Sequence, residues 1–233
     1  MEIARGGTRP YRSERRVEQA RRTRQRLVAA ATEMFLTRGY AGTTMRAIAT
    51  AAGVSVPTLE QQFGSKVRLL KATIDVAIAG DDDEVPVLNR AWADQSRAAG
   101  DPDEFLAIVA GVLTSSQSRS AGLVLAVFEG AVTDPTLAEL SVMMISQRAA
   151  TAGWIVDELT GKAPLRDDLN RDDAVDTLWL LMDPAVFDRL VRQRGWSIQH
   201  YERWFARSAR CLLIADEPAD QSAKTGSTRR STR

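Results

Sequence analysis

One cysteine and one histidine stand among 233 residues, and that scarcity removes whole classes of chemistry. Cys211 alone cannot close an intrachain disulfide, and His200 alone cannot anchor a multi-histidine metal site. Nor do the two form a nucleophile pair, because eleven residues of helix would hold them about 16 Å apart. No Gly-rich phosphate loop occurs. No apolar run approaches the roughly 20 residues that cross a bilayer, the longest clean stretches being 123–128 and 178–182. Arg5, Arg9, Arg12, Arg15 and Arg16 crowd the N-terminus without the apolar run of a secretory leader, so a cytoplasmic protein with no membrane partner is expected. Neither metal nor cofactor is expected. Sustained strand alternation is missing as well, which leaves helices to build the fold.

What is present is an ordinary globular balance, 44% hydrophobic and 26% charged. At about 150 residues per domain the length allows one or two domains. The net charge of +1 conceals an asymmetry. Residues 1–70 hold 13 Lys and Arg against 5 Asp and Glu, a net +8, while the remaining 163 hold 18 against 25, a net −7. A basic module joined to an acidic body points to a polyanion at one end only, and nucleic acid is the leading candidate.

The helix pattern of the basic segment sharpens this. Leu27, Ala30, Ala31, Met34 and Phe35 recur on one helical face, and Gly39 offers a stop. Thr43 and Thr44 offer caps for a short second helix with Ile48, Ala49 and Ala52 inward. Gly53 then permits a turn, and Ser55 caps a third helix with Pro57 in its first turn. Val54 and Leu59 fill the wedge between the two short helices. Two helices joined so tightly are a helix-turn-helix, and its coincidence with the +8 segment favours double-stranded DNA as the partner. The second helix of such a unit lies in the major groove. Val56 and Thr58 are placed to meet thymine methyl groups, and Thr58 and Gln61 to bond base edges. Arg46 lies on the outer face of the second helix, and Arg21, Arg22 and Arg24 crowd the first. Lys66 and Arg68, in the turn capped by Ser65, read as a phosphate clamp at a helix N-terminus.

The run RLVAAATEMFLTRGYAGTTMRAIATAAGVSVPTLEQQFGSKVRLL over 26–70 resembles the TetR family of transcriptional regulators, with the GY, TT, IA, AAGVS, TL, F and SK elements in their spacings. DTLWLL at 176–181 and RGWSIQHYERWF at 194–205 are similar to the ligand-domain ends of many members. The resemblance implies an all-α protein with a three-helix helix-turn-helix DNA-binding domain, a connecting helix and a larger helical ligand-binding and dimerisation domain. It implies phosphate contacts from Thr44, Gln62 and Lys66, and a homodimeric repressor on an inverted-repeat operator, answering to a small molecule. LEQQF departs from the family's LYxxF. Glu60 stands where the family usually has Tyr, and it either faces phosphate, weakening affinity, or accepts from a cytosine amino group. The phosphate-facing reading is preferred. The proposed interface is therefore Thr44, Arg46, Ser55, Val56, Pro57, Thr58, Glu60, Gln61, Gln62 and Lys66.

The domain organisation expected is a disordered basic arm over 1–20, the DNA-binding domain with its connecting helix over 21–80, the ligand and dimer domain over 81–215, and a disordered tail over 216–233. Asp101-Pro102, Asp134-Pro135 and Asp183-Pro184 read as caps followed by N1 proline. Helices are expected near 86–98, 102–117, 120–132, 135–160, 171–182, 184–194 and 197–215. Trp92, Phe128, Met143, Met144, Trp154 and Trp179 are large, adaptable side chains suited to a ligand cavity. In the last helix Ile198, Tyr201, Phe205, Ser208, Leu212 and Ala215 repeat as a packing seam, and Trp179, Tyr201, Phe205 and Leu212 are the expected dimer contacts. Asp172, Asp173 and Asp176 spell the DDxxD of magnesium-dependent prenyl-diphosphate enzymes. A second acidic motif is missing, acids at a helix start suit the macrodipole, and such an enzyme leaves the basic helix-turn-helix without a purpose. The regulator is preferred, and no enzymatic activity is expected.

Overall fold

In the computed structural model residues 9–83 and 85–215 are described, with side chains from Arg15 onward, and every named element among them is a helix. Residues 1–8 and the expected tail over 216–233 lie outside the described residues. The first helix, α1, spans Arg9–Arg38, so the arm expected over 1–20 is helical from its ninth residue. Arg, Glu, Gln and Ala are strong helix formers, and Glu18 pairs with Arg22 one turn on at 2.8 Å. The buried stripe of Leu27, Ala31 and Phe35 anchors the same rod farther along.

Helix α2 spans Met45–Ala51 and α3 Val56–Phe63. Each opens on the expected cap: Thr44 accepts from the N–H of Ala47, and Ser55 from that of Thr58. The buried Thr43 hydroxyl donates to the carbonyls of Met34 and Gly39, at 3.1 and 2.8 Å, and closes the end of α1. Between α2 and α3, Gly53 has φ of +67°, a left-handed value that a side chain would strain. Helix α4, Lys66–Ala79, follows on the Ser65 cap.

The body begins with a 3-10 turn, Val87–Asn89, and α5, Ala91–Ala98. The single helix expected over 86–98 is divided at Arg90, whose backbone is extended and whose guanidinium binds Asp81 and the carbonyls of Asp83 and Val85. Then come α6, Pro102–Gly130, α7, Pro135–Thr160, α8, Arg171–Leu181, and α9, Pro184–Phe187, which runs on as a π turn over Asp188–Gln193. The last helix, α10, is Ile198–Leu213. Asp101, Asp134 and Asp183 all cap as expected. Helix α6 corrects the two helices expected over 102–117 and 120–132. The serines between them do not break it, because Ser118 and Ser120 donate to carbonyls four residues back and Gln117 and Ser120 are buried.

Helix α6 is the axle of the molecule. Its second half contributes Leu123, Val124 and Val127 to one core with the inner faces of α1 to α4 and with Leu137 and Leu140 of α7. Its first half contributes Phe105, Leu106 and Val109 to a second core with α7, α8 and α10. The helix-turn-helix is thus packed onto the body through continuous apolar surface. At Gly122 the approach is close: a Cβ there would lie 3.0 Å from both Leu36 Cδ2 of α1 and Arg192 Nη1 of the π turn.

The dimer seam read from α10 needs correction. Tyr201 and Phe205 are fully buried within the chain, because α10 turns that stripe onto α6, where the Tyr201 hydroxyl donates to Gln117 Oε1 at 3.2 Å. Phe187 meets the Tyr201 ring edge-on. Of the four expected contacts, Leu212 is 47% exposed and Trp179 is half-buried under Arg148.

Candidate nucleic-acid interface and the cavity behind it

Helix α3 has two sharply different faces. Leu59 and Phe63 are buried, while Pro57, Glu60, Gln61 and Gly64 are exposed at three- and four-residue spacing. The exposed row is flanked by Ser55, whose hydroxyl meets that of Thr58 at 2.8 Å, and by Thr44 and Arg46 at the start of α2. These residues form one outward surface carrying donors and acceptors at the N-terminal ends of two helices. Val56 is only half-exposed and packs against the core. Gln62 is also half-buried, and its amide oxygen is enclosed without a partner.

Lys66 departs furthest from the phosphate clamp. Its ammonium donates to the carbonyls of Tyr40 and Thr43, at 2.9 and 3.1 Å, and lies 3.9 Å over the Tyr40 ring. Burial pushes it below its ordinary pKa, opposed by Asp134. Two of its three donors therefore tie α4 to the α1–α2 turn, leaving one for any outside oxygen. Arg68 remains exposed and folds toward Gly64. Arg24 lies 5.0 Å over Phe63. Arg21 bridges Asp82 and Asp83 after α4, at 3.1 Å each. These hydrogen bonds, with the charge they bring, hold Asp82 below the usual carboxylate range.

Behind α4 lies a cavity of about 820 Å³, within the range of small-molecule sites. Ile74, Val76 and Ile78 of α4 form one wall, and Val109, Leu113 and Val124 of α6 another. Of the six residues expected to line it, Trp92, Phe128 and Met144 do. Met143 instead faces outward beside the exposed Val142 and Ile145. Trp154 stands behind Trp92, edge-on at 5.4 Å, and Trp179 lies against Arg148. At the polar end Gln117 donates to the Met182 carbonyl at 2.8 Å while accepting from Tyr201. Arg148, also lining the cavity, pairs with Asp183 at 2.8 Å. Burial pulls its guanidinium below the ordinary value, opposed by that carboxylate.

Two groups escaped the sequence reading. Arg119 of α6 donates to the carbonyls of Ala77 and Ile78, at 2.8 and 3.2 Å, and so holds the C-terminal end of α4. Arg148 could have been noticed as the single cation on the Met144, Thr151, Ile155 face of α7. The DDxxD aspartates serve local structure: Asp173 accepts from the Asn170 amide, and Asp172 faces Arg171. Among the described residues no three His, Cys, Asp or Glu side chains converge as metal ligands. None of the helices among them is long and apolar enough to cross a membrane.

Comparison with known proteins agrees with this geometry. Residues 27–73 match the family model described as bacterial regulatory proteins, tetR family. Over 72 residues the chain is 43% identical to the HTH-type transcriptional activator FasR of Mycolicibacterium smegmatis. That match covers 30% of this chain and about a third (33%) of the relative's length. The transcriptional regulator FadR of Bacillus subtilis, solved with stearoyl-CoA, superposes with a TM-score of 0.61 at 15% identity, over 79% of this chain and 96% of its own. A transcriptional regulator of Saccharomonospora viridis, solved with choline, gives 0.59 at 18% identity, over 83% and 98%. At such identities the shared property is the fold.

Proposed function

We propose that the chain is a DNA-binding transcriptional regulator of the TetR family and works as a homodimeric, ligand-responsive repressor. The observation that carries this reading is the position of α4. The same helix packs its inner face into the core beneath α3 and lends its other side to the cavity. Its C-terminal carbonyls are held by Arg119, and its N-terminal Lys66 is tied to the α1–α2 turn. A molecule entering the cavity presses on a lever fixed at one end and attached to the reading surface at the other. Ligand affinity and DNA affinity then oppose each other through the two positions of that lever.

On the DNA side, Gln61 and Thr58 are the proposed base readers, and Thr44, Ser55 and Arg46 the backbone contacts, with Pro57 and Glu60 beside them. Dimerisation is proposed through α8 and α10, where Leu180 and Leu212 are 59% and 47% exposed on helices that pack side by side. Two such units present α3 twice, about one helical turn apart, to an inverted repeat.

Sequencing the fragments that the purified protein enriches from a random DNA pool tests the reading. Paired, inverted half-sites about one turn apart are expected. A single half-site overturns the symmetric dimer, and no enrichment overturns the DNA-binding reading. The relative in M. smegmatis is named an activator, so a reporter behind the enriched site decides the sign: deletion of the regulator raises output if it represses and lowers it if it activates.

A further inference from the structure

Among the described residues four buried side-chain polar atoms lack a hydrogen-bond partner, and two of them, Arg148 Nε and Trp179 Nε1, belong to one stacked pair. The guanidinium carbon lies 4.3 Å from the indole centre. Both orphaned atoms are donors. Leaving a donor unanswered in the interior is costly, more so on a cation, and the group that answers it must bring acceptors.

The neighbouring carboxylate does not fill that role. Asp183 gives Oδ2 to Arg148 Nη2 and Oδ1 to the N–H of Ala185 at the start of α9. The charges on the loop side of the cavity answer one another, Arg90 with Asp81 and Lys71 with Asp75. Arg148 stands apart from them on α7, with a side chain only 13% exposed. The indole fixes the plane of its fork, and a planar fork suits a group with two coplanar oxygens. Met144, Ile155, Val109 and Val124, with Ile74 of α4, give the same cavity apolar lining.

Resting on the reading that this cavity holds the effector, we propose that the effector is an amphipathic carboxylate, its head held by Arg148 and its apolar body laid against α4. The head supplies acceptors to the Arg148 fork, which lines the cavity, and the body reaches the helix that carries the reading surface. An ammonium head would bring no acceptor to the fork, and a neutral alcohol would answer one donor without the charge.

Three probes with the same twelve-carbon chain separate these cases: dodecanoate, dodecanol and dodecylammonium, titrated calorimetrically below micelle-forming concentrations. The wild-type protein is expected to bind dodecanoate about 10- to 100-fold more tightly than dodecanol, with dodecylammonium weakest, and dodecanoate is expected to release the selected DNA. Arg148→Gln should bring dodecanoate down to the dodecanol affinity while dodecanol itself binds as before. If Arg148→Gln does not fold, Arg148→Lys keeps the charge without the fork and should retain only part of the preference. Equal wild-type affinity for dodecanoate and dodecanol, tightest binding of dodecylammonium, or an undiminished preference in either variant overturns the carboxylate assignment and leaves the cavity reading standing. Binding of none of the three overturns both.

Discussion

The reading surface and the cavity lie on opposite sides of α4, yet they are built in different ways. The surface is local: Ser55 caps, Gly53 turns, and Leu59 and Phe63 bury within a few residues of Pro57, Glu60 and Gln61. The cavity is assembled from α4, α6 and α7 and the loop after α4, and its polar end joins Gln117, Arg148 and Met182 from three separate stretches of the chain. A local surface keeps its shape while its outward residues change, and it matches a family model over 27–73. An assembled cavity depends on the whole helical arrangement, and the solved structures, at 15–18% identity, share that fold alone. On the proposed reading, specificity resides in a few outward side chains on one side and in one oriented guanidinium on the other.

The largest effect should come from the body. Phe205→Ala removes a fully buried ring and should cost about 3–5 kcal/mol. Since the ring is buried against its own chain, the drop in Tm should not depend on protein concentration. A drop that fades as concentration rises would return Phe205 to a dimer contact.

The next effect lies on the surface. If the exposed Glu60 faces phosphate, Glu60→Tyr should raise affinity for selected and random DNA together. If it accepts from cytosine, the same change should lose about 1–3 kcal/mol on selected DNA alone, a result that side-by-side titrations would register with the opposite sign.

Smaller still is the contrast between two cations of the same module. Arg46→Ala should lower the slope of log affinity against log salt by about 0.9 for each phosphate that is no longer neutralised. Lys66→Met, whose ammonium is held by Tyr40 and Thr43, should lower it less and instead cost about 1–2 kcal/mol of thermal stability. Equal slopes for the two variants would place Lys66 on phosphate after all.

The smallest effect joins the two regions. Asp82 is held below its ordinary value of 3.8 by Arg21, so its contribution is present above that pH and fades as pH falls below it. Asp82→Asn should therefore differ slightly from wild type in thermal stability at neutral pH and converge with it in acid. A difference that persists in acid would assign the effect to packing.

The legible parts of this molecule were those whose causes sit close together in the chain. Thr44, Ser55 and Asp134 cap the residues two or three positions on, and such signals survive in a bare sequence. Helix α1 began earlier than expected because its arginines read as a solvated tail, although they are also good helix formers. The gap expected between 117 and 120 closes through the bonds of Ser118 and Ser120 to carbonyls one turn back, which cannot be seen without a helix to hold them. Tyr201 and Phe205 were correctly placed on one stripe, but periodicity names a buried face without naming what covers it. Arg148 meets Asp183 and Trp179 only once α7, α8 and α9 are assembled, and Lys66 meets Tyr40 only after two turns have folded between them. Side chains used at long range were the ones misassigned.

The bare backbone at Gly122 has a further consequence. Leu36 of the DNA-reading module and Arg192 of the body both crowd toward it, each at 3.0 Å from where a methyl would stand. Position 122 is thereby a point of close approach between module and body, at a spot belonging to neither the outward face of α3 nor the cavity lining. Larger side chains there would lift the seat by degrees. On the proposed coupling through α4, a substitution at position 122 shifts the module without touching either the outward face of α3 or the cavity lining.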